Sequence, residues 1–198
     1  MLKNLSFRNI GLSLLLLLGV VGIKAQIRTY ESVPNDPMKT RIYTLDNGLK
    51  IYITVNKEKP RIQTYIAVRT GSRNDPAETT GLAHYLEHIM FKGTDKFGTS
   101  NYAAERPYLK QIENLYEEYR HITDPVKRKE WYHKIDSVSQ IAAQYNIPNE
   151  YDKLMAAIGS QGTNAYTSND VTCYVENIPS NEIDSWAKVQ GDRFQNMV

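Results

Sequence analysis

Two histidines and a glutamate are clustered in the segment His84-Tyr85-Leu86-Glu87-His88. On an α-helix, positions i, i+3 and i+4 project from one face, so these three side chains would lie together. Neutral imidazoles are good zinc ligands, and a carboxylate one turn away can take a proton from a water bound to the metal. This order of residues is the inverted H-x-x-E-H pattern. The spacing predicts that His84 and His88 bind zinc and that Glu87 acts as general base.

The alternative is a helix without a metal site, in which two histidines are near an acid that balances their charge. The whole chain contains only four histidines, so chance explains the pattern poorly. The surroundings also favour a buried helix, because apolar residues are frequent from Leu82 to Phe91 and Lys92-Gly93 is a normal stop. Thr79 and Thr80 offer hydroxyl caps at its start. These features favour the metal site.

Longer blocks around this pattern resemble a known family. They are Gly71–Pro76, Gly81–Thr94 and, further along the chain, Gly162–Tyr174. Their sequences and their order resemble the amino-terminal half of the pitrilysin (insulinase) zinc metallopeptidases, which include the mitochondrial processing peptidase. Together with the strands that precede them, the resemblance runs from about Arg41 to the end of the chain.

The resemblance implies a zinc metalloendopeptidase that hydrolyses peptides or unfolded protein segments. It implies zinc on His84 and His88, with Glu87 as general base. It also implies that Asn164 and Ala165 lie on an edge strand beside the substrate backbone. These are the site residues that we expect from the sequence.

Two histidines do not complete a catalytic zinc site, which takes three protein ligands. In the family the third ligand is a glutamate on a later helix, and a related second half closes the cleft. Glu176, Glu182, Asp184 and Asp192 do not stand in that context; Glu176 is expected to end a strand. We therefore expect part of a longer peptidase, with the third ligand beyond Val198 and a carboxy-terminal half-domain or partner subunit missing from this chain.

Two other functions remain open from the sequence. One is a non-catalytic subunit that binds peptide or serves as a scaffold in a peptidase complex. The intact zinc pattern argues against it, because such relatives commonly lose that pattern. The other is a zinc enzyme of small-molecule metabolism with a similar inverted pattern. The block Gly162–Tyr174 and the amino-terminal segment argue against this second alternative.

The amino-terminal 25 residues have the features of a signal peptide. Lys3 and Arg8 form a positive region, residues 10–21 are apolar, and a small-residue pattern places cleavage between Ala25 and Gln26. An uncleaved anchor is the alternative, although the apolar run is short for a membrane span. The sequence predicts export, most simply to a bacterial periplasm or cell envelope.

The bulk composition is that of a globular protein. The chain has 198 residues, 41% hydrophobic and 23% charged, and a formal net charge of +2, so nothing suggests binding to nucleic acid. Its one cysteine, Cys173, cannot form an internal disulfide, and we expect it in the core of a strand.

The pattern of residues predicts an α+β fold, with a mixed or antiparallel sheet and helices packed on it. Residues 26–40 read as an extended lead-in, and 41–198 as an incomplete peptidase domain. Asp46-Asn47-Gly48 predicts a hairpin turn. Residues from about 101 to 147 have helical periodicity that is broken at Thr123-Asp124-Pro125, which predicts an inserted helical hairpin.

Overall fold

The computed structural model describes residues 29–197. The predicted signal peptide, residues 1–25, lies outside the described residues, and so does the predicted cleavage point before Gln26. The chain divides into two compact units, one up to Lys57 and one from Glu58 onward. Each has its own three-stranded antiparallel sheet.

The sheet of the first unit is a small meander. It comprises β1 (Glu31–Ser32), β2 (Arg41–Thr44) and β3 (Lys50–Ile53), in that order. The turn between β2 and β3 places Gly48 at a φ of 86°, a left-handed conformation that glycine adopts without steric cost. The predicted hairpin is therefore confirmed. The predicted lead-in also contains a strand, because β1 pairs with β2.

The sheet of the second unit has the order β4-β6-β5. Its strands are β4 (Arg61–Val68), β5 (Gln161–Thr167) and β6 (Thr172–Pro179). β6 is central and mostly buried, whereas β5 forms an edge of this sheet in the part of the chain that the structure describes. β5 and β6 form a hairpin closed by a hydrogen bond from Ser168 N to Val171 O of 2.8 Å.

Five α-helices belong to the second unit. They are α1 (Leu82–Ile89), α2 (Tyr102–Tyr119), α3 (Pro125–Ala142), α4 (Glu150–Ala157) and α5 (Ile183–Gln195). The predicted break before α3 is confirmed, since the Asp124 side chain accepts a hydrogen bond from Lys127 N of 2.8 Å and Pro125 begins the helix.

Helices α2 and α3 pack against each other as a hairpin. Trp131 Nε1 donates to Leu115 O at 3.0 Å, and the Arg128 guanidinium lies 4.0 Å from the centroid of the Tyr119 ring. Ile135 is buried at the contact. The helical content of this segment is confirmed, whereas its status as an insertion stays a prediction.

The core of the second unit lies between its sheet and its helices. Phe97, Tyr151 and Met155 form the buried centre, and the partly buried residues packed on it are Phe91, Leu154, Ile158, Trp186 and Val189. Helices on antiparallel sheets make an α+β fold, as the sequence predicts. Among residues 29–197, no helix combines the length and the apolar character that crossing a membrane requires.

Candidate metal centre

Helix α1 carries the candidate metal-binding residues, and a carboxylate caps its start. Asp75 Oδ2 accepts a hydrogen bond from Gly81 N at 2.7 Å, and Asp75 Oδ1 accepts one from Ala83 N at 2.9 Å. Gly81 immediately precedes the helix at a φ of 92°, a left-handed conformation. The prediction that Thr79 or Thr80 caps the helix is wrong, because a carboxylate six residues before Gly81 binds the free amides instead.

The imidazoles of His84 and His88 meet on the exposed face of α1. Their Nε2 atoms are 3.1 Å apart, and the ring centroids are separated by 4.7 Å. Two nitrogen ligands at the usual distance from one tetrahedral zinc ion would be about 3.3 Å apart. The observed separation of the two nitrogens is close to that value, and imidazole is a preferred zinc donor. The pair therefore fits zinc.

The Glu87 side chain, on the same helix, is buried, with only 6% of the residue exposed. Its Oε2 accepts a hydrogen bond from Thr167 Oγ1 of 2.5 Å. Thr167 is the last residue of β5, so this contact ties α1 to the edge strand. The two histidine side chains are thus in direct contact, and the Glu87 side chain is hydrogen-bonded to the sheet through Thr167.

The loop before α1 is fixed to the turn between β5 and β6. Ser72 N donates to Ser168 O at 3.0 Å, and Arg73 N donates to Asn169 O at 2.9 Å. A Cβ atom at Gly71 would lie 2.2 Å from Ser168 O, so only glycine permits this approach. The first and last of the resemblance blocks are therefore neighbours in space.

Asn164 and Ala165 both lie on β5, opposite Val175 and Tyr174 of β6. The Asn164 residue is exposed and Ala165 is half-buried. The register shifts between Gln161 and Asn164, a bulge-like irregularity. The predicted edge-strand position is confirmed for both residues, whereas their contact with substrate stays a prediction.

Two of the acidic residues that the sequence offers as ligands, Asp192 and Glu176, are engaged elsewhere. Within residues 29–197, no three or more histidine, cysteine, aspartate or glutamate residues are grouped so that they could hold a metal ion. Burial raises the pKa of Asp192, but hydrogen bonds from Lys96, Thr94 and Asn196 outweigh this and leave the pKa below its usual value. No third ligand to the histidine pair is found in the described part of the chain.

Glu176 is fully buried in the interior of β6, so the prediction that it ends a strand is wrong. Its Oε1 accepts a hydrogen bond from Tyr151 Oη at 2.5 Å, and its Oε2 accepts one from Trp186 Nε1 at 3.1 Å. Burial raises the pKa of the Tyr151 hydroxyl. Donors from α4 and α5 thus let a charged residue occupy the middle of a core strand.

Arg193 of α5 is a further buried charge that the sequence did not reveal. It has no exposed surface, and its guanidinium carbon lies 4.4 to 5.4 Å from four ring centroids. These rings belong to Phe91, Tyr151, Tyr174 and Phe194. Among the described residues its side-chain nitrogens have no hydrogen-bond partner. Burial lowers the pKa of Arg193. One of its cation–π contacts is with Phe91, which lies two residues after the end of α1.

Similar sequences fall in one family. Residues 51–114, which include α1, match the family described as Insulinase (Peptidase family M16). The insulin-degrading enzyme homolog of Dictyostelium discoideum is 39% identical over 64 residues, which are 32% of this chain and 7% of that protein. The probable mitochondrial-processing peptidase subunit beta of Arabidopsis thaliana is 41% identical over 58 residues, 29% of this chain and 11% of that protein. The putative zinc protease mug138 of Schizosaccharomyces pombe is 36% identical over 83 residues, 41% of this chain and 8% of that protein.

Solved structures with this fold include pitrilysin, at a TM-score of 0.52 and 15% identity. The match covers 86% of this chain and 14% of that one. A protease from Helicobacter pylori matches with a TM-score of 0.50 and 20% identity, over 86% of this chain and 27% of that one. Both likenesses concern the fold alone.

The fold is like that of the solved structures named above, and residues 51–114 carry the family match. The predicted resemblance to the insulinase family, peptidase family M16, is therefore confirmed. At the level of the family this supports a peptidase function. The chain spans 7% to 11% of the length of the three curated relatives described above.

Proposed function

We propose that this protein is a zinc-dependent metalloendopeptidase that hydrolyses peptide bonds in peptides or unfolded segments. The observation that carries the proposal is the 3.1 Å separation of His84 Nε2 and His88 Nε2 on the exposed face of α1. The pair lies inside the segment that matches the insulinase family, and the name of one relative includes zinc.

In this proposal His84 and His88 bind the metal through Nε2, and Glu87 is the general base. Zinc, when bound, polarises the substrate carbonyl and makes a water nucleophilic near neutral pH. Glu87 takes the proton from the attacking water and passes it to the nitrogen of the leaving amine. Its position one residue before His88 keeps the carboxylate on the helix that holds the metal.

A complete site needs a third protein ligand and a wall that shelters the substrate. Since no third ligand joins the pair within residues 29–197, we propose that it comes from outside them. We also propose that a carboxy-terminal half-domain or partner subunit completes the cleft. The much greater length of the matched relatives supports this division.

The direct test compares zinc content and peptide cleavage in the protein as its host produces it. The wild type should carry zinc, lose cleavage of a quenched peptide when the metal is chelated, and recover it when zinc is restored. His84→Ala should lose both metal and cleavage, because one imidazole cannot hold the ion. His133→Ala, which removes an exposed histidine of α3, is the matched control and should retain both.

Two results would contradict this function. Cleavage that survives complete removal of zinc would mean that the chemistry does not need the metal. Peptide binding without any cleavage by the zinc-loaded protein would favour the non-catalytic subunit instead.

We further propose that the free edge of β5 binds substrate as an added strand. In the described residues β5 pairs only with β6, and the exposed Asn164 lies on it. Main-chain hydrogen bonds along an edge require an extended peptide. Unfolded substrates should therefore be cleaved faster than the same proteins in compact form.

Peptides that are N-methylated at one amide at a time give the sharper measurement. Methylation should lower kcat/KM at alternate positions, because only every second amide of an added strand points to its neighbour. An unmethylated peptide of the same sequence is the control. Equal rates for folded and unfolded forms, or no alternation along the peptide, would contradict strand addition.

The amino-terminal residues support a proposal of export to a bacterial periplasm or cell envelope. A positive region, an apolar run and a small-residue site before Gln26 form a signal peptide. Mass spectrometry of protein from its host should find a mature chain that begins at Gln26. A cytoplasmic product that begins at Met1 would refute export.

A further inference from the structure

The last residue of the edge strand touches the proposed general base. Thr167 Oγ1 donates to Glu87 Oε2 at 2.5 Å, a short hydrogen bond. Glu87 is buried, so this contact satisfies an oxygen that solvent scarcely reaches. The hydroxyl therefore controls which way the carboxylate faces.

The Thr167 hydroxyl lies next to the hydroxyl of its strand partner, Thr172. Thr167 pairs with Thr172 across the β5–β6 ladder, and their Oγ1 atoms are 3.3 Å apart. Thr172 Oγ1 donates its only hydrogen to Thr70 O at 2.9 Å. The Thr167 oxygen lies 2.5 Å from Glu87 Oε2 and 3.3 Å from Thr172 Oγ1, so the carboxylate is the acceptor of the Thr167 hydrogen. The β-branched side chain of Thr167 has few rotamers to choose from.

We propose that Thr167 is a positioning residue of the peptidase site. Its hydroxyl fixes Oε2 of Glu87 and leaves Oε1 as the oxygen that accepts the proton. Because Thr167 ends the strand that carries Asn164 and Ala165, the strand proposed to bind the substrate also orients the base. This inference rests on the proposed function, since it assigns a role to a residue that acts through Glu87.

Packing alone does not account for this contact. Valine has nearly the same shape as threonine and would fill the same space between α1 and the sheet. What threonine adds is a donor at hydrogen-bond distance from one carboxylate oxygen. Removing that donor leaves the Glu87 carboxylate with one partner fewer and free to rotate.

The test uses Thr167→Val, which removes the hydroxyl, and Thr167→Ser, which keeps it. The measurements use the zinc-loaded protein as its host produces it. Thr167→Val should lower kcat about 10- to 100-fold, the range seen when the hydrogen-bond partners of metal-binding residues are removed. KM should change less than about twofold and zinc content should stay the same, because the residues that bind substrate and metal are intact. Thr167→Ser should restore most of kcat.

Thr64→Val is the matched control. Thr64 is a buried threonine on β4 whose hydroxyl also contacts a carboxylate, Glu176 Oε2, at 3.3 Å, but away from α1. It should lower the melting temperature and leave kcat unchanged. If Thr167→Val does not fold, Thr167→Ala replaces it, with the same expected result.

A second readout does not depend on turnover. With ¹³C-labelled glutamate, the carboxyl resonance of Glu87 is identified by its disappearance in Glu87→Gln. Thr167→Val should shift this resonance, Thr167→Ser should largely restore it, and Thr64→Val should leave it in place. A Glu87 resonance that does not respond to Thr167→Val would overturn the inference.

The failure of this inference and the failure of the proposed function give different results. If Glu87→Gln abolishes turnover but Thr167→Val keeps the wild-type kcat, the role of Thr167 is wrong and the peptidase proposal stands. If Glu87→Gln itself turns over normally, the general-base assignment fails first. In the Glu87→Gln background, Thr167→Val should cause no further loss, because it acts through that carboxylate.

Discussion

Replacing Glu87 by glutamine should leave zinc in place and remove nearly all peptide cleavage. Glutamine has the size of glutamate, and its amide oxygen can still accept the hydrogen bond from Thr167. It cannot accept a proton, so the loss in kcat should be at least about 10²- to 10⁴-fold, the usual contribution of a general base. Metal analysis and a quenched-peptide assay on the same sample measure both properties.

The histidine variants provide the contrast. His84→Ala and His88→Ala should each lose the metal as well as cleavage, because they remove one of the two Nε2 atoms that lie 3.1 Å apart. Glu87→Gln that cleaves peptide at a rate near that of the wild type would show that another group takes the proton. Glu87→Gln without zinc would mean that the carboxylate binds the metal.

The largest loss of stability is expected for Glu176→Leu. Glu176 is fully buried, and it accepts hydrogen bonds from Tyr151 and Trp186. Leucine fills most of the space but leaves the hydroxyl of Tyr151 and the indole N–H of Trp186 without their acceptor. Each buried donor left without an acceptor costs about 1–3 kcal/mol in the free energy of unfolding, so the two together cost about 2–6 kcal/mol. Urea denaturation of the two proteins measures the difference.

Glu113→Leu is the control for that experiment. Glu113 lies on the exposed surface of α2, and its partner Lys110 is equally exposed, so its loss should change the free energy of unfolding by less than about 0.5 kcal/mol. A change of under about 1 kcal/mol for Glu176→Leu would contradict the importance of the buried network.

The parts of the fold that local signals encode could be predicted from the sequence. The hairpin at Asp46-Asn47-Gly48, the helix that carries His84 and His88, and the break before Pro125 all follow from turn, capping and periodicity rules. The proximity of His84 and His88 could also be predicted from local rules. Residues four apart on a helix are neighbours whatever the rest of the chain does.

The contacts that complete the site join residues far apart in sequence, and local rules do not reach them. Thr167 is 80 positions from Glu87, and its donor role depends on how β5 packs on α1. An arginine on a helix is normally expected at the surface, yet aromatic rings from several elements surround Arg193. The sequence wrongly predicts that Glu176 ends a strand, because the partners that allow it to be buried are distant. These partners, Tyr151 and Trp186, come from two different helices.

The most direct measurement of the central claim is zinc-edge X-ray absorption of the metal-loaded protein. If His84 and His88 bind zinc, the spectrum should contain imidazole nitrogen at about 2.0–2.1 Å, and this contribution should disappear in the double variant His84→Ala, His88→Ala. A sulfur neighbour at about 2.3 Å would instead point to Cys173 as a ligand. That result, or a spectrum that the double variant leaves unchanged, would contradict the assignment of the metal to this helix.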